Sequence, residues 1–144
     1  MKFFLFTVFI SALSFTTAAQ KNISLASPDG NIVFSFKIQN SSVLYSVAYK
    51  SKTLIEYSPL SLNFDDGLFQ KNLKLNKPIL KDTTEEYDLL PGKTKHVAAH
   101  YKEAVLSLEE TTAHKRKINI AVRVFNDGLA FRYELPQQQS RSAF

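Results

Sequence analysis

Apolar and polar residues alternate along most of the chain after residue 20, and turn-forming residues interrupt the alternation roughly every ten positions. A period of two puts neighbouring side chains on opposite faces of a strand, so this pattern predicts strands with one buried face. Helical periodicity is scarce. We therefore expect an all-β chain of roughly seven to nine short antiparallel strands, folded as a sandwich or a barrel. The best examples are residues 32–38, 43–49, 101–108, 117–124 and 131–135.

Turn signals separate these strands. Pro28 presets φ and Gly30 accepts a positive φ, so residues 27–31 are predicted to form a turn. Asn126-Asp127-Gly128 predicts a tight hairpin whose tip takes positive φ angles. The polar stretch 81–86 shows no alternation and is assigned to no strand.

Residues 1–19 form a segment of a different kind. Lys2 is followed by the apolar run 3–10 and then by small residues up to Ala19, which is the pattern of a cleavable signal peptide. Cleavage after Ala19 makes Gln20 the expected mature N-terminus, and the mature chain is expected in the periplasm or outside the cell. The alternative is an uncleaved anchor, although the apolar run is well short of the roughly 20 residues that span a bilayer.

Charge and cysteine content narrow the function classes. The chain has 18 basic and 13 acidic residues, and removal of Lys2 with the leader lowers the formal charge from +5 to +4 (17 minus 13). The basic residues are scattered, and the densest cluster, 114–117, is interpreted as a solvated turn, so no nucleic-acid partner is expected. No membrane contact is expected after signal cleavage. The chain has no cysteine, so its core must hold the fold without disulfides.

The expected domain organisation is a leader, one β-sandwich domain over residues 20–136, and a tail over 137–144. The tail has no pattern and follows directly after a well-formed hairpin. We interpret it as a truncation inside a larger architecture, with a naturally disordered terminus as the alternative.

Acidic pairs and histidines are the first candidates for chemistry. Asp65-Asp66, Glu85-Glu86 and Glu109-Glu110 are adjacent in sequence, so a strand sends the two carboxylates of each pair to opposite faces. They therefore make poor acid and base partners for glycoside hydrolysis and are interpreted as solvated loop charges. His96, His100 and His114 lack the cysteines or clustered acids of a zinc site. No catalytic, cofactor-binding or metal-binding residue is assigned.

The most informative stretch is the hairpin 123–133. Its two arginines are predicted on exposed faces and its aromatic residues on buried faces. A purely structural role is one interpretation, in which Asp127 caps its own turn and the arginines pair across strands. A binding or cleft-shaping role is the other. The residues concerned are Arg123, Asn126, Asp127, Gly128, Phe131 and Arg132.

This hairpin resembles the N-terminal domain of glycoside hydrolase family 97, in which an Arg-x-x-Asn-Asp-Gly-x-Ala-Phe-Arg-Tyr stretch closes a similar run of strands. The resemblance covers residues 23–136 and also includes, in order, Ser27-Pro28-Asp29-Gly30, Leu44-Tyr45-Ser46-Val47 before Tyr49, Ser58-Pro59-Leu60 and Asp66-Gly67. It implies an exported α-glucosidase or α-galactosidase. The implied fold is a β-sandwich of the galactose-mutarotase-like kind, followed by a (β/α)₈ barrel with the catalytic carboxylates and by a small β domain. Calcium takes part in catalysis in that family.

The resemblance also implies what this chain lacks. The barrel is missing and the sandwich has about half its usual length, so the chain alone is expected to be inactive and to hold neither catalytic residue nor calcium ligand. Carbohydrate would be bound through the missing catalytic domain, with the hairpin helping to shape the cleft. Two alternatives remain open. One is a free-standing exported glycan-binding module, and the other is a structural β domain without a ligand. The candidate sugar platforms are Tyr45, Tyr49, Tyr101 and Tyr133.

Overall fold

A computed structural model describes residues 22–89 and 96–138, so the predicted leader, the turn at 91–93 and the tail from 139 onward lie outside the described residues. All regular structure in the described part is β-strand, which confirms the all-β prediction. The strands are β1 (Asn22–Ala26), β2 (Ile32–Gln39), β3 (Ser42–Tyr49), β4 (Lys52–Pro59), β5 (Leu62–Phe64), β6 (Gly67–Phe69), β7 (Leu73–Leu75), β8 (Ile79–Asp88), β9 (His96–Glu110), β10 (Lys117–Phe125) and β11 (Leu129–Glu134).

The strands form two main antiparallel sheets. The first sheet has the order β1-β2-β3-β4, so each strand pairs with the next along the chain. The second has the order β11-β10-β9, and β7 and β8 pair with successive stretches of the other edge of β9. A short hairpin of β5 and β6 stands apart from both. The predicted antiparallel sandwich is confirmed.

The core lies between the inner faces of the two sheets. Alternation accounts for much of its membership, because the residues predicted to share a face of β2 or β10 are buried or partly buried. Burying one such side chain stabilises the fold by roughly 1.5–3 kcal/mol. The most deeply buried members are Phe34, Phe36, Val43, Leu106, Leu108, Ile118, Ile120, Val122 and Val124.

Strand β8 corrects the sequence interpretation of residues 81–86, which lie inside a ten-residue strand. It pairs with β9 from Ile79 opposite Val105 to Asp88 opposite His96. Its side chains are exposed on both faces, so no alternation marks it. Residues 96–100 of β9 extend beyond the end of β10, and with β8 they form a two-stranded ribbon that projects about 17 Å past the sandwich.

Arg116 corrects a second interpretation, since its side chain is only 6% exposed rather than part of a solvated turn. Its Nε donates to Glu110 Oε2 at 2.6 Å and its Nη1 to Asp66 Oδ1 at 3.1 Å. The guanidinium also lies 5.3 Å from the ring centre of Phe64 and 5.8 Å from that of Phe69. Glu110 and Asp66 are thus not solvated loop charges. Together these contacts fasten the β5–β6 hairpin to the β9–β10 turn.

The edges of the two sheets formed by β4 and β11 are not aligned. β3 lies over β11, since the rings of Tyr45 and Phe131 are 5.9 Å apart. β4 continues the first sheet past that edge, and residues 52–57 are all exposed. The pairing register shifts at Val47, so two successive residues of β4, Leu54 and Ile55, lie beside it on the inner face. They are 62% and 38% exposed, whereas Val47 is 5% exposed. The first sheet therefore overhangs the second by one strand.

Candidate functional site

One end of the sandwich gathers the turns that the family resemblance singles out. The turn 27–31 is held by its own side chains: Ser27 is fully buried, its Oγ donates to Asp29 Oδ1, and it accepts the Ile32 N–H at 3.0 Å. Asp29 also accepts the Asn31 N–H at 3.0 Å. Hydrogen bonds from Ser27 and Asn31 hold the pKa of Asp29 below its ordinary value. Gly30 takes a φ of 76°, as predicted.

Asn126 connects this turn to the hairpin between β10 and β11. Its Oδ1 accepts the main-chain N–H of Asp29 at 2.9 Å. The β3–β4 turn joins the same end, because Lys50 N–H donates to Asn31 O at 2.8 Å. Two turns from the first third of the described chain and one from its end thus form one surface, which we call the turn end of the sandwich.

The hairpin tip differs from the sequence prediction in its backbone. Phe125 N–H donates to Gly128 O at 2.8 Å and closes a hairpin at the predicted place. Asn126, Asp127 and Gly128 all have negative or extended φ, so the expected positive φ angles are wrong. The register from Val124 opposite Leu129 leaves two residues, Asn126 and Asp127, between the bonded Phe125 and Gly128, and this turn contains no left-handed backbone.

An open cleft of about 390 Å³ lies at the turn end. Its floor is apolar, whereas the hairpin tip supplies polar groups at the rim. Of the six hairpin residues named from the sequence, the structure brings Asn126, Asp127 and Gly128 to this cleft and leaves the other three elsewhere. The lining residues are Ile32, Val47, Tyr49, Leu54, Asn126, Asp127, Gly128 and Leu129.

Arg123 lies on the outer face of the second sheet. Its Nε donates to Glu103 Oε2 at 2.7 Å on the neighbouring strand, and its Nη1 to Glu85 Oε2 at 3.2 Å on β8. The guanidinium stacks 4.4 Å above the ring of Tyr101, whose hydroxyl donates to Glu85. The hydrogen bond from Tyr101, helped by the charge of Arg123, holds the pKa of Glu85 below its ordinary value. Arg123 thus binds β8, β9 and β10 together.

Phe131 and Arg132 point to opposite faces of β11. Phe131 is 38% exposed and contacts Tyr45 and Tyr133 at the open edge of the core, so it is less buried than the sequence suggests. Arg132 is exposed and donates to Glu134 on its own strand at 2.9 Å. The predicted cross-strand pairing therefore holds for Arg123 and not for Arg132.

The four candidate tyrosines differ in how deeply they are buried. Tyr101 is 2% exposed, whereas Tyr45 and Tyr133 are half-buried against the core. Burial raises the pKa of both Tyr101 and Tyr133. Tyr49 is 40% exposed and lines the cleft, with the Lys50 ammonium 5.2 Å from its ring centre.

The sequence did not mark Asp29, Glu85 or Glu103 as parts of these clusters. Asp29 lies in the predicted turn 27–31, and turn chemistry does not indicate its contact with the hairpin. Alternation along β8 could not indicate the place of Glu85, because that strand is exposed on both faces. Its position becomes visible only through the register of β8 with β9.

The histidines of the ribbon pair with acids across strands. His96 Nδ1 lies 2.9 Å from Asp88 Oδ1, and His100 Nε2 lies 2.6 Å from Asp82 Oδ1. Within residues 22–89 and 96–138, no group of three or more His, Asp or Glu side chains is arranged to hold a metal ion. The same part of the chain contains no helix long and apolar enough to cross a bilayer.

A match to a known protein family shows the family of this chain. The family described as Glycosyl-hydrolase 97 N-terminal matches residues 25–143, which is most of the chain. This chain belongs to that family. The family 97 match covers the turn 27–31, the cleft and the Asn126 hairpin, so it agrees with the resemblance read from the sequence.

A curated protein and several solved structures match the same region. A retaining α-galactosidase from Bacteroides thetaiotaomicron is 27% identical over 134 residues, which is 92% of this chain and 19% of that protein. A family 97 enzyme from Pseudoalteromonas sp. strain K8, solved in complex with panose, is 26% identical with a TM-score of 0.76, covering 81% of this chain and 18% of its own. A β-arabinopyranosidase crystal structure is 32% identical with a TM-score of 0.74, covering 83% and 19%. The family 97 chain described here thus spans about a fifth of the length of these relatives.

Proposed function

We propose that this chain is the N-terminal β-sandwich module of an exported α-glycoside hydrolase of family 97. In this proposal it packs against a catalytic barrel that is not part of the chain and presents its turn end to the active-site cleft. The observation that supports it most is the hydrogen bond from Asp29 N–H to Asn126 Oδ1, which joins two family-like segments beside an open cleft.

The turn end is suited to packing against another domain. Its turns are held by buried or short-range hydrogen bonds, so their shape is set before any partner arrives. The ribbon of β8 and β9 projects beyond the sandwich at the same end, since Tyr101 pairs with Phe125 next to the hairpin tip. A rigid cleft flanked by a projecting ribbon gives a second domain two places to contact.

The proposed substrates are α-glucosides and α-galactosides. Two of the relatives support this class, since one is named a retaining α-galactosidase and another was solved with panose and with acarbose, whereas a third is named a β-arabinopyranosidase. In the described residues, Asp29 and Glu85 near the turn end are engaged in a turn and in a cross-strand pair, and Asp127 is the single acid among the residues that line the cleft. Glycoside hydrolysis needs two carboxylates about the scissile bond. We therefore assign the bond-cleaving carboxylates to the barrel and expect this chain alone to be inactive.

Calcium belongs to the same proposal only through the full-length enzyme. The described residues hold no arrangement of three acidic or histidine ligands, so they do not fit a calcium site by themselves. No role of this module in the proposal depends on the ion.

Export is a further part of the proposal and rests on the leader-like residues 1–19. The test is expression in a Gram-negative host, followed by fractionation and N-terminal sequencing. We expect a periplasmic product that begins at or next to Gln20. A cytoplasmic product that retains Met1 would overturn this part.

A chimera tests the module proposal directly. The segment of the Bacteroides thetaiotaomicron α-galactosidase that aligns with residues 25–143 is replaced by that of this chain, and hydrolysis of a nitrophenyl α-galactoside is measured. We expect the chimera to hydrolyse the substrate, because the transferred module presents the same fold to the barrel. A folded chimera without activity would count against the proposal.

The free-standing glycan-binding module is the competing function, and the exposure of Tyr49 in the cleft is the observation in its favour. Calorimetric titration of this chain with panose and with galactose separates the two. We expect no binding tighter than millimolar from the chain alone. Micromolar binding that disappears in Tyr49→Ala would favour the free-standing module instead.

A further inference from the structure

Three of the four glycines of the chain directly follow an aspartate, namely Gly30, Gly67 and Gly128. An Asp-Gly dipeptide can react with itself, because the missing Cβ lets the main-chain nitrogen of the glycine approach the side-chain carboxyl carbon of the aspartate. The reaction needs a carboxyl group that can turn toward this nitrogen and a nitrogen that is not already engaged. The three dipeptides lie in different turns, so their surroundings decide which of them can react.

In the first dipeptide, both reacting groups are held by neighbours. Asp29 Oδ1 accepts the Asn31 N–H at 3.0 Å, and Asp29 Oδ2 accepts the side-chain amide of Asn31 at 2.6 Å. Ser27 Oγ donates to the same carboxylate. The Gly30 N–H donates to Ser27 O at 2.9 Å, so the nitrogen is engaged as well. We therefore expect Asp29 to stay unmodified in the folded chain.

In the second dipeptide, the buried guanidinium of Arg116 holds both residues. Asp66 Oδ1 accepts from Arg116 Nη1 at 3.1 Å, and Asp66 Oδ2 lies 3.7 Å from His114 Nδ1. The Gly67 carbonyl accepts from the same Nη1 at 2.8 Å, and Gly67 pairs with Phe64 in the β5–β6 hairpin. The carboxylate is thus fixed in place, and we expect Asp66 to stay unmodified too.

The third dipeptide lacks these restraints. Asp127 is exposed at the hairpin tip, and its carboxylate has no hydrogen bond or ion pair within residues 22–89 and 96–138. In the same part of the chain the Gly128 N–H has no acceptor, because the tip is closed through the Gly128 carbonyl instead. Nothing lies within 4 Å of a Cβ built on Gly128, so the tip has room for a ring.

We propose that Asp127 is a modification site, at which aspartate converts spontaneously to isoaspartate. The Gly128 nitrogen attacks the side-chain carboxyl carbon of Asp127, a C–N bond forms, and the nitrogen proton leaves with the carboxyl hydroxyl as water. A water molecule then opens the cyclic succinimide at either carbonyl, which restores aspartate or gives isoaspartate. Nothing is oxidised or reduced, and no enzyme is needed. The inference does not rest on the proposed function.

The modification alters the tip that lines the cleft. Isoaspartate carries the main chain through its side-chain carbon, so the turn gains a main-chain atom. The present turn is closed by the 2.8 Å bond from Phe125 N–H to Gly128 O, and the 2.9 Å bond from Asp29 N–H to Asn126 Oδ1 fixes its position. A longer turn does not fit these two bonds together, so the isoaspartyl form has a less stable turn end.

Peptide mapping of aged protein tests the site. One sample of the chain is aged folded in near-neutral buffer and a second is aged in urea, and electron-transfer fragmentation then locates isoaspartate in each. In the folded sample we expect roughly tenfold more isoaspartate at position 127 than at 29 or 66. In urea the three positions differ little, because the restraints are gone. Equal amounts at the three positions of the folded sample, or none at 127, would overturn the inference.

Two variants test the chemistry at this position. Gly128→Ala puts a Cβ beside the attacking nitrogen, and Asp127→Glu requires a larger ring, so each should form roughly tenfold less modified product there than the parent. Asp88→Glu, at an exposed aspartate followed by leucine, is the control and leaves the amount at 127 unchanged. Parent-like amounts in the two tip variants would rule out the succinimide route.

The effect on the turn end is measured on the modified protein itself. Ion-exchange chromatography separates the isoaspartyl form from the parent, and thermal unfolding compares them. We expect the midpoint of the isoaspartyl form to be lower by about 4 °C, because the bonds that hold the tip no longer fit together. Equal midpoints would overturn the proposed effect on the turn end.

Discussion

The main-chain N–H of Asp29 and the side-chain Oδ1 of Asn126 are joined by a 2.9 Å hydrogen bond across 97 positions of sequence. Asp29 lies in the turn between the first two strands, and Asn126 lies at the tip of the last hairpin. The bond therefore ties an edge region of the first sheet to the second sheet at the turn end. It also fixes the position of the tip that lines the cleft.

Removing the hydrogen-bond acceptor at residue 126 should destabilise the turn end of the sandwich. Asn126→Ala leaves the Asp29 N–H to water, and we expect a loss of about 1 kcal/mol in the free energy of unfolding. Asn126→Asp is the matched control, because it keeps an oxygen at the accepting position. Urea unfolding of the three proteins checks the expectation. Equal midpoints for the alanine and aspartate variants would mean that the bond contributes little.

Glycine substitutions distinguish the two turns of this end. Gly30 has a φ of 76°, so Gly30→Ala places a Cβ in left-handed backbone and should cost about 1 kcal/mol or more. Gly128 has no positive φ and nothing within 4 Å of a built Cβ, so Gly128→Ala should stay within about 0.5 kcal/mol of the parent. Thermal unfolding compares the pair. A larger cost at Gly128 would contradict the backbone described for the hairpin tip.

The buried guanidinium at the opposite end should be costly to remove. Arg116→Met leaves the Glu110 carboxylate buried without its partner, and we expect a loss of about 3 kcal/mol or more. Lys117→Met, at the exposed neighbouring position, is the control and should change stability by less than about 0.5 kcal/mol. Chemical denaturation measures the free energy of unfolding of both variants. Similar midpoints for the two variants would show that the Arg116 cluster does not hold the β5–β6 hairpin.

Because of the pair formed by Glu110 and Arg116, we expect the protein to lose stability in acid. Burial acts to raise the pKa of Glu110, but the hydrogen bonds from Arg116 outweigh it and hold the pKa below the ordinary 4.5. The unfolded chain thus binds more protons than the folded chain between these two values. The contribution of Glu110 is fully present above pH 4.5 and is lost as the pH falls through the folded-state pKa.

Denaturation midpoints measured from about pH 7 to about pH 3 check this dependence. The parent should lose stability below pH 4.5, and Glu110→Gln, which cannot titrate, should show a shallower acid limb. The Asp29 and Glu85 carboxyls add slopes of the same sign to both proteins, because the pKa of each is also lowered. Identical acid limbs would remove Glu110 as a contributor.

The fold was predictable wherever one face of a strand is buried. Strands β2 and β10 follow directly from alternation, because burial of every second residue is the physical cause of the pattern. β8 could not be found this way, since neither of its faces is covered. Its place depends on main-chain pairing with β9, which leaves no mark on the choice of side chains.

The candidate site was predictable only in part. The Asn126 hairpin was located from turn chemistry, yet its contact with Asp29 depends on how the two sheets stack. Arg116 was misjudged for a similar reason. A run of basic residues is usually solvated, and only the tertiary positions of Glu110 and Asp66 make one of them a buried partner. Long-range electrostatic pairing is not readable from local sequence.

The wide sequence separation of Asp29 and Asn126 also bears on the order in which the molecule forms. Residues 22–59 can pair through successive hairpins as soon as they leave the ribosome, but their inner face stays bare until β9 and β10 have been made. Contacts between distant segments form slowly, because a long loop must close first. During synthesis the apolar face of Phe34 and Phe36 is therefore open to chaperones until most of the chain has been translated.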